Sequence, residues 1–483
     1  MHGAVRVAVR VAAAALALAF AANAGALAAP SSQQRTIDAA LNDPELRGAH
    51  VGLFAIDTAG NTFYQRNADN DFVPASTFKL IVGSVALARL GPSFTFATTV
   101  AAVGPVSNGT LNGDLVLHGG GDAQLSVADL QQAAAAVHAA GIVHVTGDVV
   151  ADASHFAAPR YPGGWMVDDV PYEYAAVPSA LSLELNVAHV RVRPGADVSS
   201  PAELVSGPTG NAFTIVNRAT TGLRGSEDTT DLDRPWNLPA EIDVTGSYPL
   251  GAGLSDDFEP AVPDPAAYAA GVFGDALRSH GVTIDGGIRY GSAPTGTNVW
   301  QHRSEPLRSV LGDFWRPSVN LIGEQLLEEL GVASSPVAHD DRAAGISIET
   351  AWLRSIGVDP RTVTIADGSG LSAYDRITPH DLVQILSSGW HGRYRTTLLA
   401  SLPVSGRSGT LAGDFTAPPL AGAIVAKTGT TNHARLLAGF ARRTDGGTTI
   451  FALSIENWMD DRPQADAALN RVRAVVLRAL VAG

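Results

Sequence analysis

Five strand-like segments stand at the two ends of this 483-residue chain, and they limit most sharply what it can fold into. His50 to Ile56 and Thr62 to Asn67 bracket a turn at Asp57 to Asn61, which reads as a hairpin. Gly422 to Lys427, Leu436 to Arg443 and Thr448 to Ile455 lie near the far end, the last two joined by a turn at Asp445-Gly446-Gly447. A lone hairpin is marginal in water and leaves open edges. If it joins the distant three strands in one antiparallel sheet, the first and last parts of the chain form one α+β domain, split by what lies between. Helical patterns at Gln34 to Leu41, about Ser76 to Leu90, Pro306 to Phe314, Leu321 to Leu330, about Ser347 to Ile356, Pro379 to Ser387 and Gln464 to Val481 supply helices to flank the sheet.

Between about Val100 and Gln301 the texture changes. Short strand-like runs alternate with Gly-rich turns, as at Asp114 to His118, Ile142 to Val150, Arg191 to Arg193 and Phe213 to Asn217. Two helices are punctuated: Val127 to Ala140 with Ser126 as N-cap, and one with Asp264 as N-cap, Pro265 at the first position and Gly281 as its stop. Residues 100–302 read as one or two inserted mixed α/β modules, with 30–99 and 303–483 as the split domain. The block holds no Lys and no nucleophile–base pair, so a chain lacking it is expected to keep some of the chemistry carried by the rest.

Of the 33 basic side chains, Lys79 and Lys427 are lysine and all others are arginine. An Ala/Gly/Arg-rich composition accounts for the scarcity, not for where the two survivors fall. Arginine cannot give up its proton in a protein, and lysine can when its pKa is depressed. Lys79 lies three residues after Ser76 at a predicted helix start, on the same face. The N–H groups and dipole of that helix end favour anionic charge developing near Ser76. Lys427 opens Lys427-Thr428-Gly429-Thr430 at the end of a strand, and Ser318-Val319-Asn320 sits in a link between helices.

The composition closes off other function classes. A formal charge of -14 without a basic run argues against nucleic acid. The absence of Cys removes disulfides, thiol nucleophiles and thiolate metal sites, and the 13 His show no metal-ligand spacing. Residues 1–29 read as a signal peptide, with Arg6 and Arg10 ahead of an apolar run from Val11 to Ala22 and small-x-small sites at Ala22-Asn23-Ala24 and Ala26-Leu27-Ala28. The alternative, a retained anchor, has a short and Ala-rich run to work with. Secretion into the periplasm or extracytoplasmic wall space follows, with membrane association peripheral at most.

Ser-x-x-Lys, Ser-x-Asn and Lys-Thr-Gly are each weak alone. In this order and on these elements they are similar to the motifs of penicillin-binding proteins and class A β-lactamases. More of the chain resembles one branch, the D-alanyl-D-alanine carboxypeptidases/endopeptidases, or low-molecular-mass class C penicillin-binding proteins. Gly113-Asp114-Leu115-Val116-Leu117 before Gly119-Gly120-Gly121-Asp122, Gly147-Asp148-Val149-Val150 leading to Gly163-Gly164-Trp165, and Val177-Pro178-Ser179-Ala180-Leu181-Ser182 with Asn186 look like that family's insertion. Asp367-Gly368-Ser369-Gly370-Leu371-Ser372 and Leu437-Ala438-Gly439-Phe440 resemble segments beside its active site. Val319 and His433 depart from the usual pattern.

The resemblance implies a serine β-lactamase/transpeptidase-like fold and a set of roles. Ser76 is implied as nucleophile, Lys79 as its base, Lys427 as a second cation and Ser318 as proton relay. Asn320, Thr428, Gly429 and Thr430 are implied in substrate binding, with the N–H groups of Ser76 and Thr430 as oxyanion hole. No cofactor or metal is implied. The partners implied are peptidoglycan stem peptides, with β-lactams as covalent inhibitors. The alternatives are a serine β-lactamase, and a non-catalytic wall-binding protein on the same fold.

Overall fold

The computed structural model describes residues 30–158, 160–235, 237–292, 296–334, 340–458 and 463–483. The expected signal peptide at 1–29 lies outside the described residues. Along the chain come α1 (Ser32–Leu41), β1 (His50–Asp57), β2 (Thr62–Arg66), a 3-10 turn (Ala75–Phe78) and α2 (Lys79–Arg89). The middle segment contains β3 (Ala97–Val103), β4 (Asp114–His118), α3 (Val127–Ala139), β5 (Val149–Asp152), α4 (Pro265–Ser279), β6 (Ile288–Tyr290) and β7 (Thr297–Arg303). After it come α5 (Leu307–Trp315), α6 (Asn320–Ser334), α7 (Asp341–Ser355), α8 (Pro379–His391), α9 (Arg395–Ser401), β8 (Ile424–Thr431), β9 (Ala434–Arg442), β10 (Thr448–Glu456) and α10 (Pro463–Ala482).

The split sheet forms as the sequence implies. Its order is β8-β9-β10-β1-β2, with every neighbouring pair antiparallel. β1 pairs with β10 from His50↔Glu456 to Asp57↔Thr449, which ties the two ends of the chain together. Both faces are covered. Leu53 and Ala55 pack with Ile37 of α1 and Val476 of α10, while Phe54 and Ile56 join the core shared with α2, α6 and α8. Burial on both faces explains why β1, β9 and β10 read as largely apolar runs rather than as alternations, whereas the edge strand β2 buries only Tyr64.

The helix expected from Ser76 begins instead as a 3-10 turn, and the α-helix proper starts at Lys79. Side chains three apart eclipse in 3-10 geometry, which stacks Lys79 directly on Ser76. α2 is buried almost all round, as a central helix must be. Gly83 makes room for this: a Cβ there would lie 2.3 Å from Trp315 Cζ2. Trp315 uses that room to donate from Nε1 to the Lys79 carbonyl at 3.0 Å.

Other boundaries differ for physical reasons. α7 starts at Asp341, capped by Asp340, well before the expected Ser347. Its first turns bury Asp341 and Arg342, with Arg342 paired to Glu328 at 2.5 Å, so charge masks the apolar period. α9 is a short helix that the sequence pattern did not reveal. β8 runs through Lys427-Thr428-Gly429-Thr430 to Thr431 rather than stopping at Lys427.

The segment from β3 to β7 has its own core. It enters and leaves through antiparallel neighbours, in a sheet of order β6-β5-β4-β3-β7 whose β4, β5 and β6 are parallel. α3 and α4 pack in that core. Among the described residues no helix is long and apolar enough to cross a membrane.

Gly83→Ala is expected to lower folding stability by about 1–3 kcal/mol, the usual cost of overpacking a filled core. A denaturant midpoint equal to or above wild type would show that Trp315 is not held by the space at Gly83.

Candidate active site

Three elements converge. The 3-10 turn carries Ser76 and leads straight into Lys79. The link between α5 and α6 carries Ser318, and Asn320 opens α6. β8 carries Lys427, Thr428, Gly429 and Thr430. β8 comes close because Gly429 has no side chain: a Cβ there would lie 2.7 Å from the Pro74 carbonyl and 3.2 Å from Thr77 Cγ2. Ser318 has φ 71, a left-handed conformation that costs energy for any residue but glycine. In that conformation its hydroxyl accepts from Lys427 Nζ at 2.8 Å.

Lys79 is fully buried. Its Nζ donates to Ser76 Oγ at 2.9 Å, to Asn320 Oδ1 at 2.5 Å and to the Ser369 carbonyl at 2.7 Å. The last two partners are acceptors alone, so each requires an N–H from the amine. A neutral amine has two N–H groups and one lone pair. With both N–H groups engaged by carbonyl oxygens, its lone pair is left facing the Ser76 hydroxyl. Burial lowers the Lys79 pKa from 10.5 to about 7, although Asp367, Glu324 and Asp375 pull the other way.

Lys427 is buried too, and donates to Ser318 Oγ and to the Thr428 carbonyl, the latter at 2.9 Å. Burial, and then the charge of Lys79, hold its pKa well below the ordinary lysine value. The Thr428 hydroxyl lies 2.7 Å from that of Thr410. Thr430 is exposed farther along the strand, opposite Arg435, and His433 is exposed at the following turn. Val319 packs partly against the core under α2. Every residue expected at the site is therefore on these three elements. A cleft of about 470 Å³ opens beside Ser318 and Asn320, lined also by Tyr174 and Leu185 of the segment between β3 and β7.

Four groups at the site had no role in the sequence reading. The Ser369 carbonyl holds Lys79. The Tyr174 carbonyl accepts from Asn320 Nδ2 at 2.7 Å. Asp367 is fully buried and accepts from the backbone N–H groups of Ser369, Gly370 and Ser372 and from the Ser369 hydroxyl. Trp165 Nε1 donates to Asp367 Oδ2 at 2.8 Å. Asp367 to Ser372 and Gly163-Gly164-Trp165 stood out as sequence runs, but nothing local says that they meet. The middle segment thus reaches the site, which its lack of motif residues did not suggest.

Behind Lys79 lies a set of buried carboxyl groups. Burial and then the Asp367 charge push Glu324 up to about 8, while it accepts from Gly368 N at 3.1 Å. Burial and the same neighbour push Asp375 well up. Glu349 is fully buried, neither of its oxygens has a hydrogen-bond partner among the described residues, and burial followed by Glu324 and Asp367 raises it well above 4.5.

The D-Ala-D-Ala carboxypeptidase 3 (S13) family profile matches residues 33–476. The chain belongs to that family. By class it is a serine-type D-Ala-D-Ala carboxypeptidase. It is similar to a D-alanyl-D-alanine carboxypeptidase of Actinomadura sp. (strain R39), 36% identical over 430 residues that cover 85% of this chain and 78% of the relative. Its fold is similar to the crystal structure of penicillin binding protein 4 from Haemophilus influenzae, with TM-score 0.83, 22% identity, and 92% and 99% of the two chains covered. A second structure of that protein, complexed with a novel β-lactam, matches with TM-score 0.76, 21% identity and the same coverage. The family match takes in the middle segment as well as both ends of the chain.

Glu349 gives a stability test. Its folded pKa lies above its unfolded one, so the stability it contributes is full below pH 4.5 and is lost as pH rises. Glu349→Gln needs no proton, so its melting temperature relative to wild type should rise between pH 5 and pH 7. A difference that stays constant or falls over that interval would contradict a carboxyl group kept neutral by burial.

Proposed function

We propose that this protein is a secreted enzyme of the periplasm or extracytoplasmic wall space that cuts D-Ala-D-Ala linkages in peptidoglycan stem peptides. It acts as carboxypeptidase and endopeptidase through an acyl-enzyme on Ser76. Residues 1–29 are its signal peptide. Residues 30–99 and 303–483 form the transpeptidase-like catalytic domain, and 100–302 the insertion. The observation that carries the mechanism is the three-way environment of Lys79: two carbonyl acceptors, and then the Ser76 hydroxyl.

In this reading neutral Lys79 takes the Ser76 proton as Oγ attacks the carbonyl of the penultimate D-Ala. The backbone N–H groups of Ser76 and Thr430 hold the developing oxyanion. The C–N bond then breaks, and Ser318, bonded to Lys427, passes a proton to the departing amine. Water cleaves the ester in a second step and regenerates the Ser76 hydroxyl. Lys427, with the Thr428 and Thr430 hydroxyls, receives the substrate carboxylate. Gly429 keeps the strand close to the nucleophile turn, and Asn320 contacts the substrate amide while steadying Lys79. A β-lactam enters the first half of the cycle and stays as an acyl-enzyme. The Haemophilus influenzae relative solved with a β-lactam supports that expectation.

Ser76→Ala should lose both D-Ala release and labelling by a fluorescent penicillin while keeping its circular dichroism spectrum. Lys79→Arg keeps a cation but has no accessible neutral form, and should acylate about 10²–10⁴-fold more slowly. Wild-type acylation should rise with pH through about 7, as Lys79 loses its proton. Undiminished labelling of Ser76→Ala would place the nucleophile elsewhere, and near-normal acylation by Lys79→Arg would remove Lys79 as the base.

A further inference from the structure

The two carbonyl oxygens that aim Lys79 at Ser76 are themselves held from the segment between β3 and β7. Asn320 presents Oδ1 to Lys79 because its Nδ2 donates to the Tyr174 carbonyl at 2.7 Å. A carbonyl accepts and cannot donate, so Tyr174 decides which end of the Asn320 amide faces the amine. The Ser369 carbonyl is set by the loop wrapped round Asp367, and Trp165 supplies the side-chain donor that this carboxylate receives from outside the loop.

The docking of the two runs is close. Ser372 Oγ donates to the Gly163 carbonyl at 2.7 Å and Ala373 N to the Gly164 carbonyl at 3.1 Å. Gly164 has φ 83, and a Cβ there would lie 2.5 Å from Ser372 Oγ. On its other sides the loop is wedged against the nucleophile turn and α6. A Cβ at Gly370 would lie 2.1 Å from the Ala75 carbonyl, and one at Gly368 would lie 2.3 Å from the Gly323 carbonyl. The loop has no room to turn the Ser369 carbonyl while Asp367 is held.

We propose that the segment between β3 and β7 is a positioning element of the catalytic site, in which Trp165 acts through Asp367 and Ser369, and Tyr174 acts through Asn320, to aim the Lys79 amine at Ser76. This rests on Lys79 being the base. It makes Trp165 and Asp367 positioning residues, since neither touches the amine. It also means that removing the segment removes more than a wall-binding surface, because the base loses the support of both its carbonyl partners.

Asp367 has an electrostatic part as well. The charged and titratable groups facing Lys79 are Asp367 and Asp375 on the loop, Glu324 on α6 and Lys427 on β8, with Glu349 of α7 behind Glu324 and Asp367. Every hydrogen-bond partner named for Asp367 donates, which suits a carboxylate. Its charge favours the protonated amine more than that of any other neighbour. Removing it while keeping its shape should make Lys79 easier to deprotonate even as the amine is aimed less well.

The test uses full-length secreted protein and a fluorescent penicillin, which has no stem-peptide side chain. It separates the dissociation constant Kd of the first complex from the acylation rate constant k2 between pH 5 and pH 9. Trp165→Phe, which removes the N–H alone, should lower k2 by about 10–100-fold with Kd unchanged. Asp367→Asn should lower k2 further at high pH and move the acid limb of the profile to lower pH. The proposal is overturned if folded Trp165→Phe acylates at the wild-type rate, or if its loss lies in Kd with k2 intact. An acid limb unmoved in folded Asp367→Asn overturns the electrostatic part, and if that variant does not fold, Trp165→Phe decides alone. The underlying reading fails differently: normal acylation by Lys79→Arg sinks the base assignment, whereas an inactive Lys79→Arg beside an unaffected Trp165→Phe sinks this proposal only.

Discussion

A fully buried lysine amine with two carbonyl oxygens at 2.5 and 2.7 Å is the interaction on which the rest of the site depends. Burial outweighs the opposing pull of Asp367, Glu324 and Asp375 and brings Lys79 down to about 7, and the carbonyls decide where the lone pair points once the proton has gone. A second buried amine, Lys427, adds a constraint: two cations buried in one site disfavour each other. Each bonds a serine hydroxyl, Lys79 to Ser76 and Lys427 to Ser318. In the proposed cycle one pair starts acylation and the other delivers the proton to the leaving group.

The fold provides this by bringing elements together from both ends of the chain. β1 ties to β10 along its whole length, so the sheet cannot form until the first and last parts meet. That pairing sets β8 against the nucleophile turn, where Gly429 allows contact with the Pro74 carbonyl. On the opposite face Trp315 enters at Gly83 and bonds the Lys79 carbonyl, fixing the start of α2 from behind. The middle segment, built round its own core, lies against the remaining side through Gly163, Gly164, Trp165 and Tyr174.

Much of this could be read from residues. β1, β9 and β10 were legible because both sheet faces are buried there and the runs are long, and β2 because the turn at Asp57 to Asn61 marks a hairpin. Ser76, Lys79, Ser318, Asn320 and Lys427 were legible because each short motif falls where one element begins or runs beside another. What stayed hidden has a common cause. The Ser369 and Tyr174 carbonyls are backbone groups, and a backbone acceptor leaves no mark on residue type. Trp165 and Asp367 meet across 202 positions of sequence, so neither run announces the other. The 3-10 start of α2 was hidden because period and capping signals do not distinguish it from a first α turn. The opening of α7 was hidden because Arg342 and Glu328 pair inside, where an amphipathic pattern expects apolar residues.

A chain with two lysines allows the central claim to be measured at the atom concerned. Selective ¹⁵N labelling of lysine gives one Nζ signal from Lys79 and one from Lys427, assigned by replacing each with arginine, and both can be followed against pH by NMR. The account predicts that the Lys79 amine loses its proton with a midpoint near 7 and that Lys427 titrates well below 10.5. A Lys79 midpoint near the ordinary lysine value of about 10.4 would contradict it, because the amine would then be charged at neutral pH and unable to accept the Ser76 proton.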